Sequence, residues 1–324
     1  MYGKDFVSLR DFDPGEIRHF LHMACQVKAN PHAYSHALDG KTLAMIFEKP
    51  SLRTRVTFDV GIEELGGHPI YLSPAEISLG KRESIHDVAK NLERMVHGIM
   101  IRTFAHEIVE QMAQQSSVPV INGLTDFSHP CQAMADYLTM LEMKGRIAGL
   151  KVAYVGAGNN VAHSLMFAGA QLGVNLWIAT PPGFEPSLDA VAWTRLRCGA
   201  THGSITLTHE PEMAVFGADV VYTDVWAGMG QESEAQKRAE AFRPYQVNAA
   251  LFDHAKKDAI FLHCLPAHRG EEVTDEVIDS PSSFVFQQAE NRLHAQKAIM
   301  LQLMSDEAVE RRHVAVETTM EVAK

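Results

Sequence analysis

Short apolar runs alternate with helix-length stretches along the second half of this sequence, and that alternation leaves few folds open. Residues 151–155, 174–179, 205–208, 219–223 and Ala259–His263 read as strands. Helical patterns near 161–172 and 188–197 separate the first three. Strand, helix, strand is the signature of a parallel sheet with helices on both faces. The first half follows the same rule less regularly, with apolar runs at Leu43–Phe47, Ile70–Leu72, Ile99–Ile101 and Val118–Ile121. Before them, residues 1 to about 38 read as helical. Asp13 caps Pro14-Gly15-Glu16, and Ile17, Phe20 and Leu21 give one apolar face. A helix over Val88, Leu92 and Met95 precedes the third strand. A long helical pattern from about Cys131 stops at Lys144-Gly145, and another runs from Glu290 to about Ser305. At 324 residues the chain exceeds one comfortable core. Two parallel-sheet domains are expected, with the boundary in or just after the helix that ends at Lys144.

Composition narrows the function. A formal net charge of −11 argues against nucleic acid or an anionic membrane as the main partner. No run approaches 18 apolar residues, so a membrane span is not expected, and neither is a secretion signal. Cys25, Cys131, Cys198 and Cys264 are scattered with no C-x-x-C, which fits a reducing cytoplasm. His32 and His36 have i, i+4 spacing but no third ligand, so they read as surface histidines and no metal site is expected.

One stretch stands out as basic. After the Leu43–Phe47 strand, Pro50 breaks the chain and Ser51 is placed to cap a helix whose face is Phe58, Ile62 and Leu65, with Gly66-Gly67 as its stop. A helix N-terminus favours an anion. The Ser51 and Thr54 hydroxyls and the Arg53 and Arg55 guanidinium groups would surround a phosphate with donors. The alternative is a turn whose arginines are solvated. A nucleotide P-loop is excluded by the missing G-x-x-x-x-G-K.

In open parallel sheets ligands sit at the carboxyl ends of strands. The chemically able residues of this chain cluster there: Ser51 to Arg55, Arg102, His129, Asn159-Asn160, Asp224 and His263-Cys264. His129 and Gln132 open a helix and suit polarisation of a carbonyl; a capping histidine is the plainer alternative. Asp224, before Ala227-Gly228-Met229-Gly230, suits a positively charged amine, or else caps a helix before a flexible loop. Gly156-Ala157-Gly158 lacks the third glycine of a dinucleotide fingerprint, since Val161 stands there. Adjacent residues of an extended chain point oppositely, so His263 and Cys264 make a poor nucleophile pair. Ser78 to Ser84, polar and basic, reads as a mobile loop.

Together, Ser51-Leu52-Arg53-Thr54-Arg55, His129-Pro130-Cys131-Gln132, Asp224-Val225-Trp226 with Met229-Gly230, His263-Cys264-Leu265-Pro266-Ala267 and Glu290-Asn291-Arg292 resemble the aspartate/ornithine carbamoyltransferase family. The resemblance covers about Leu9 to Leu303. It implies an α/β fold of two doubly wound parallel-sheet domains joined by long helices. Residues 1–147 would bind carbamoyl phosphate, with the helix at 290–305 packing back on them, and 148–289 would bind L-ornithine. The implied reaction moves the carbamoyl group to the ornithine side-chain amine, giving L-citrulline and phosphate, without metal or organic cofactor. Putrescine, lysine or an N-acylornithine would be other acceptors within the family. A dehydrogenase, or an amino-acid-binding protein without activity, are readings outside it.

By the same resemblance Ser51, Leu52 through its backbone, Arg53, Thr54 and Arg102 hold phosphate. His129, Gln132, Arg292 and the Cys264-Leu265 backbone surround the carbamoyl group. Asn160, Asp224, Gly228 and Met229 hold the amino acid, with Cys264 near its side-chain amine. The loop around Ser78 would enter a neighbour's site in a trimeric, cytoplasmic enzyme of arginine metabolism. Two positions depart from the pattern. Gly228 replaces the family's serine, and Leu52 replaces the commoner threonine.

Overall fold

The computed structural model describes residues 5–77, 79–80, 82–228 and 235–308. Ser78, Lys81, Met229 and Gly230 lie outside the described residues, as does the tail from 309. The chain packs as two units: residues 1–134 with 292–324, and residues 135–291. Among the described residues no helix is long and apolar enough to cross a membrane.

The first unit holds β1 (Thr42–Phe47), β2 (His68–Leu72), β3 (Gly98–Arg102) and β4 (Val120–Leu124). They form a wholly parallel sheet in the order β2-β1-β3-β4. Every residue from Leu43 to Phe47 is buried, so β1 is covered on both faces, as an interior parallel strand must be. Helix Leu52–Glu64 follows β1 and buries Phe58 and Ile62, with Leu65 just beyond its end. Between β3 and β4 the register slips after Ile101, leaving Gly123 as the extra residue of a bulge on β4.

The second unit holds β5 (Lys151–Val155), β6 (Asn175–Ala179), β7 (Ser204–Thr208), β8 (Val220–Thr223) and β9 (Ile260–His263). They too are all parallel, in the order β7-β6-β5-β8-β9. Both sheets are therefore doubly wound, and each has one place where the winding direction reverses. It falls between β1 and β3 in the first unit and between β5 and β8 in the second. Ligands of such sheets bind outside the strand ends at that reversal.

Several helices differ from the sequence reading, among them Ala235–Phe242, which it does not predict. The helix over Val88 spans Ile85–Leu92, so Met95 lies beyond it and is exposed. A helix at His106–Gln115 went unassigned, because only Val109 and Met112 give it a buried apolar face. The last helix begins at Val285 rather than Glu290. Val285 is buried, while 286–289 lack an apolar repeat and are held by tertiary bonds from Gln288.

The turn after β5 tolerates only glycine at one position. A Cβ on Gly158 would lie 2.1 Å from the Pro186 nitrogen and 2.3 Å from the Glu185 carbonyl carbon, both backbone atoms that cannot swing aside. Gly158→Ala should therefore destabilise the protein by about 3 kcal/mol or more, at the upper end of overpacking. Urea unfolding of wild type and variant checks this; equal midpoints would mean the turn can shift.

Candidate functional site

In the first unit the polar residues gather at the β1/β3 reversal. Ser51 is the N-cap of helix Leu52–Glu64, and its Oγ accepts the Thr54 N–H at 3.2 Å. The Leu52 side chain is exposed, and its N–H sits at the helix's first position, where no acceptor exists within the helix. Thr54 is fully buried. Its hydroxyl oxygen accepts Arg292 Nη2 at 3.1 Å and, at the limit of a hydrogen bond, Arg102 Nη1 at 3.5 Å. A hydroxyl has two lone pairs and one proton. With both lone pairs facing guanidinium groups, the Thr54 O–H is left to donate.

Arg292 also donates through Nη1 to Gln132 Oε1 at 2.7 Å. That bond fixes the Gln132 amide and makes Nε2 its donor end. His129 is buried at the start of the same helix, Pro130–Lys144. Burial pushes its pKa well below 6.5, and the nearby charges of Arg292, Arg102 and Arg53 push it further the same way. His129 is thus neutral at physiological pH and presents an imidazole, not an imidazolium. The neighbouring Cys131 thiol is buried and pushed up to about 12, which leaves it inert. Arg55 is not part of this group. Its guanidinium stacks 3.9 Å from the Tyr71 ring centroid and pairs with Asp59.

The loops that carry these residues are tied to one another. Lys49, buried, pairs with Asp126 and lies 4.1 Å from the Phe104 ring centroid, while Glu48 accepts from Thr103. These contacts lock the ends of β1, β3 and β4 together. No local pattern in the sequence signals them, because each joins residues more than fifty positions apart.

In the second unit the polar residues gather at the β5/β8 reversal. Asp224, buried, follows β8. Its Oδ1 accepts the Val225 N–H at 2.8 Å and the Cys264 thiol at 2.9 Å, and its Oδ2 accepts Asn159 Nδ2 at 2.7 Å. Asn159 caps helix Asn160–Leu172, so Asn160 stands at the helix's first position.

His263 turns away from Cys264, as an extended chain requires. Its Nε2 meets Glu272 Oε1 at 3.0 Å, with both side chains fully buried, and its Nδ1 accepts the Leu265 N–H at 2.8 Å. Leu265 has φ of 57°, a left-handed conformation unusual for a branched side chain, and the His263 bond helps hold it there. Gln288 supports the same strand end, accepting the His263 N–H at 2.9 Å and donating to the buried Asp136 at 2.7 Å. The sequence reading missed Glu272 and Gln288, which act on the site only through long-range bonds. Gly228 ends the described stretch after β8.

The sequence comparisons agree with this architecture. Residues 4–142 match the domain described as "Aspartate/ornithine carbamoyltransferase, carbamoyl-P binding domain", and residues 148–303 match the family's "Asp/Orn binding domain". The chain belongs to the aspartate/ornithine carbamoyltransferase family. Among its relatives, an ornithine carbamoyltransferase of Thermococcus kodakarensis is 57% identical over 307 residues, which is 93% of this chain and 96% of that protein. A Pyrococcus furiosus relative, described as "Ornithine carbamoyltransferase, anabolic", is 54% identical over 307 residues, again 93% of this chain and 96% of the relative. The solved structure of ornithine carbamoyltransferase from Pyrococcus furiosus superposes with a TM-score of 0.91 at 54% identity, covering 94% of this chain and 97% of that one.

The state of His129 has a consequence for stability. Its folded pKa lies below the unfolded value of 6.5, so below pH 6.5 the unfolded chain binds more protons than the folded one. Stability then falls as pH falls, by up to about 1.4 kcal/mol per pH unit until the folded pKa is reached. Ligand-free His129→Asn protein should lose less stability than wild type between about pH 7.5 and about pH 5.5. Urea unfolding at both pH values checks this, and equal losses in the two proteins would contradict it.

Proposed function

We propose that this chain transfers the carbamoyl group of carbamoyl phosphate to the side-chain amine of L-ornithine, giving L-citrulline and phosphate. The observation that carries the reading is the meeting of Arg102 and Arg292 on the Thr54 hydroxyl, at a helix N-terminus and beside a neutral, buried His129. Phosphate is held by Ser51, the Leu52 backbone, Arg53, Thr54 and Arg102. These donors leave the carbamoyl carbonyl facing Thr54, Arg102, His129, Gln132 and Arg292. As the amine attacks, the carbonyl oxygen gains negative charge, and donors already in position stabilise it without reorganisation. Neutral His129 donates an N–H there without competing for a proton. Phosphate then departs with the bonding electrons and carries off the proton that the attacking nitrogen gives up. The leaving group itself activates the carbonyl, so the chemistry needs no metal or organic cofactor.

The acceptor's α-ammonium pairs with Asp224 and its carboxylate with Asn160, while Cys264 and the Leu265 backbone border the reacting amine. Met229 is assigned to the same site from the family pattern. An ornithine side-chain amine resembles lysine, with a pKa near about 10.4, and desolvation in an enclosed site favours its neutral, nucleophilic form. Cys264 serves as a positioned donor: its S–H is given to Asp224, and His263 is engaged elsewhere. The anabolic label on a relative of this identity supports a biosynthetic role in arginine metabolism. We read the working assembly as a cytoplasmic homotrimer. The exposed Leu52 and Val56 of the clamp helix support a copy-to-copy contact.

Two outcomes test the reading. Arg53→Ala should nearly abolish carbamoyl transfer with the fold intact, since one lost charge-assisted fork costs roughly 1.5–3 kcal/mol in binding and more in the transition state. Unchanged turnover and unchanged carbamoyl phosphate affinity would sink the phosphate clamp.

The second outcome concerns the acceptor. An acylated α-amine would leave the buried Asp224 carboxylate without its cationic partner. Free ornithine should therefore be preferred over N-acetylornithine by roughly 100-fold in kcat/KM, about 2.7 kcal/mol. Initial rates at limiting acceptor decide this. Equal use of N-acetylornithine or putrescine would refute ornithine as the substrate while sparing carbamoyl transfer.

A further inference from the structure

Asn159 has a geometry that a helix cap alone does not require. Its Oδ1 accepts three donors: the Val161 N–H at 3.0 Å, the Ala162 N–H at 3.1 Å and the Tyr154 hydroxyl at 3.2 Å. Three donors on one oxygen decide which end of the amide is oxygen, so the NH2 end can face only the other way. There it donates to Asp224 Oδ2 at 2.7 Å. The other carboxylate oxygen of Asp224 is held by the Val225 N–H and the Cys264 thiol. Both oxygens are thus fixed, and the carboxylate plane is set from two sides.

The Tyr154 hydroxyl is a reliable donor in this arrangement. The phenol is fully buried, and both burial and the neighbouring Asp224 and Cys264 push its pKa well above 10. Its ring packs against Tyr222, with centroids 5.7 Å apart. The helix start, the buried phenol and the amide therefore form one rigid path to the carboxylate.

We infer that Asn159 is a positioning residue for the acceptor, orienting the Asp224 carboxylate through its amide donor while its oxygen caps helix Asn160–Leu172. The inference rests on the reading that Asp224 meets the α-ammonium. It adds a residue whose effect on the acceptor passes entirely through another side chain.

The two roles of Asn159 separate chemically. Serine and aspartate cap helices about as well as asparagine. Neither supplies the amide donor, and aspartate adds a second negative charge beside Asp224. Asn159→Ser and Asn159→Asp enzymes should keep the helix cap and remain folded, the aspartate variant with the lower midpoint because of its second charge beside Asp224. Their KM for ornithine should rise roughly ten- to hundred-fold, with the aspartate variant worse, while kcat and the KM for carbamoyl phosphate change far less. Equilibrium binding of L-norvaline, which has the α-amino acid group but no side-chain amine, should weaken in parallel.

Asp224→Asn is measured beside them. If it loses L-norvaline while Asn159→Ser binds normally, the positioning role is overturned and the Asp224 reading stands. If both substrates weaken equally in the Asn159 variants, Asn159 is only a cap and the inference is also overturned. If Asp224→Asn binds L-norvaline as wild type does, the Asp224 reading fails and the inference fails with it.

Discussion

A parallel sheet whose winding reverses must leave two adjacent strands with crossovers that depart to opposite faces. The strand ends at that point are not roofed by their own connections, and the polar groups there face a gap by construction. Both sheets of this protein obey the constraint. In the first unit it brings Ser51–Thr54 and Arg102 to one place, and in the second Asn159-Asn160 and Asp224. The rest of each unit serves to hold those strand ends still. In the first unit this is done by the ion pair of Lys49 and Asp126 and by the bond of Glu48 to Thr103; in the second by Glu272 on His263 and Gln288 on Asp136.

The fold was legible because its strands are buried on both faces. A run such as Leu43–Phe47 has no alternation to confuse with a helix and is too short to be one. Helix starts were equally readable where a side chain does the capping, as at Asp13 and Ser51. Helix His106–Gln115 was not, since Ala105 at its N-cap makes no side-chain hydrogen bond and its apolar face is thin. The site residues could be found by placement at strand ends, though their partners could not. Arg55 illustrates the difference. Its spacing suited an anion site, but an aromatic ring and a carboxylate on the same surface engage it. Asn159 lay in plain view beside Asn160, yet only the structure separates a capping oxygen from an orienting amide.

The two clusters manage charge in opposite ways. The first collects guanidinium groups around a buried imidazole and keeps that imidazole uncharged. The second surrounds one carboxylate with neutral donors: an amide, a thiol and a backbone N–H. Each arrangement is complementary to a ligand charge of the other sign. The formal charge of −11 on the whole chain makes the first cluster a local exception.

That exception has a thermodynamic side. Like charges held together raise the free energy of the folded chain whenever nothing anionic lies among them, and the unfolded chain escapes this by dispersing its arginines. An anion seated there binds the folded form alone, so it stabilises that form by mass action, by about 2.7 kcal/mol at a hundred times its dissociation constant. Inorganic phosphate, the reaction's product, has the right charge and shape. Its level in solution would govern how long an idle molecule survives as well as how fast a working one turns over. Under the proposed phosphate clamp, product inhibition and protection against unfolding are two readings of a single binding constant.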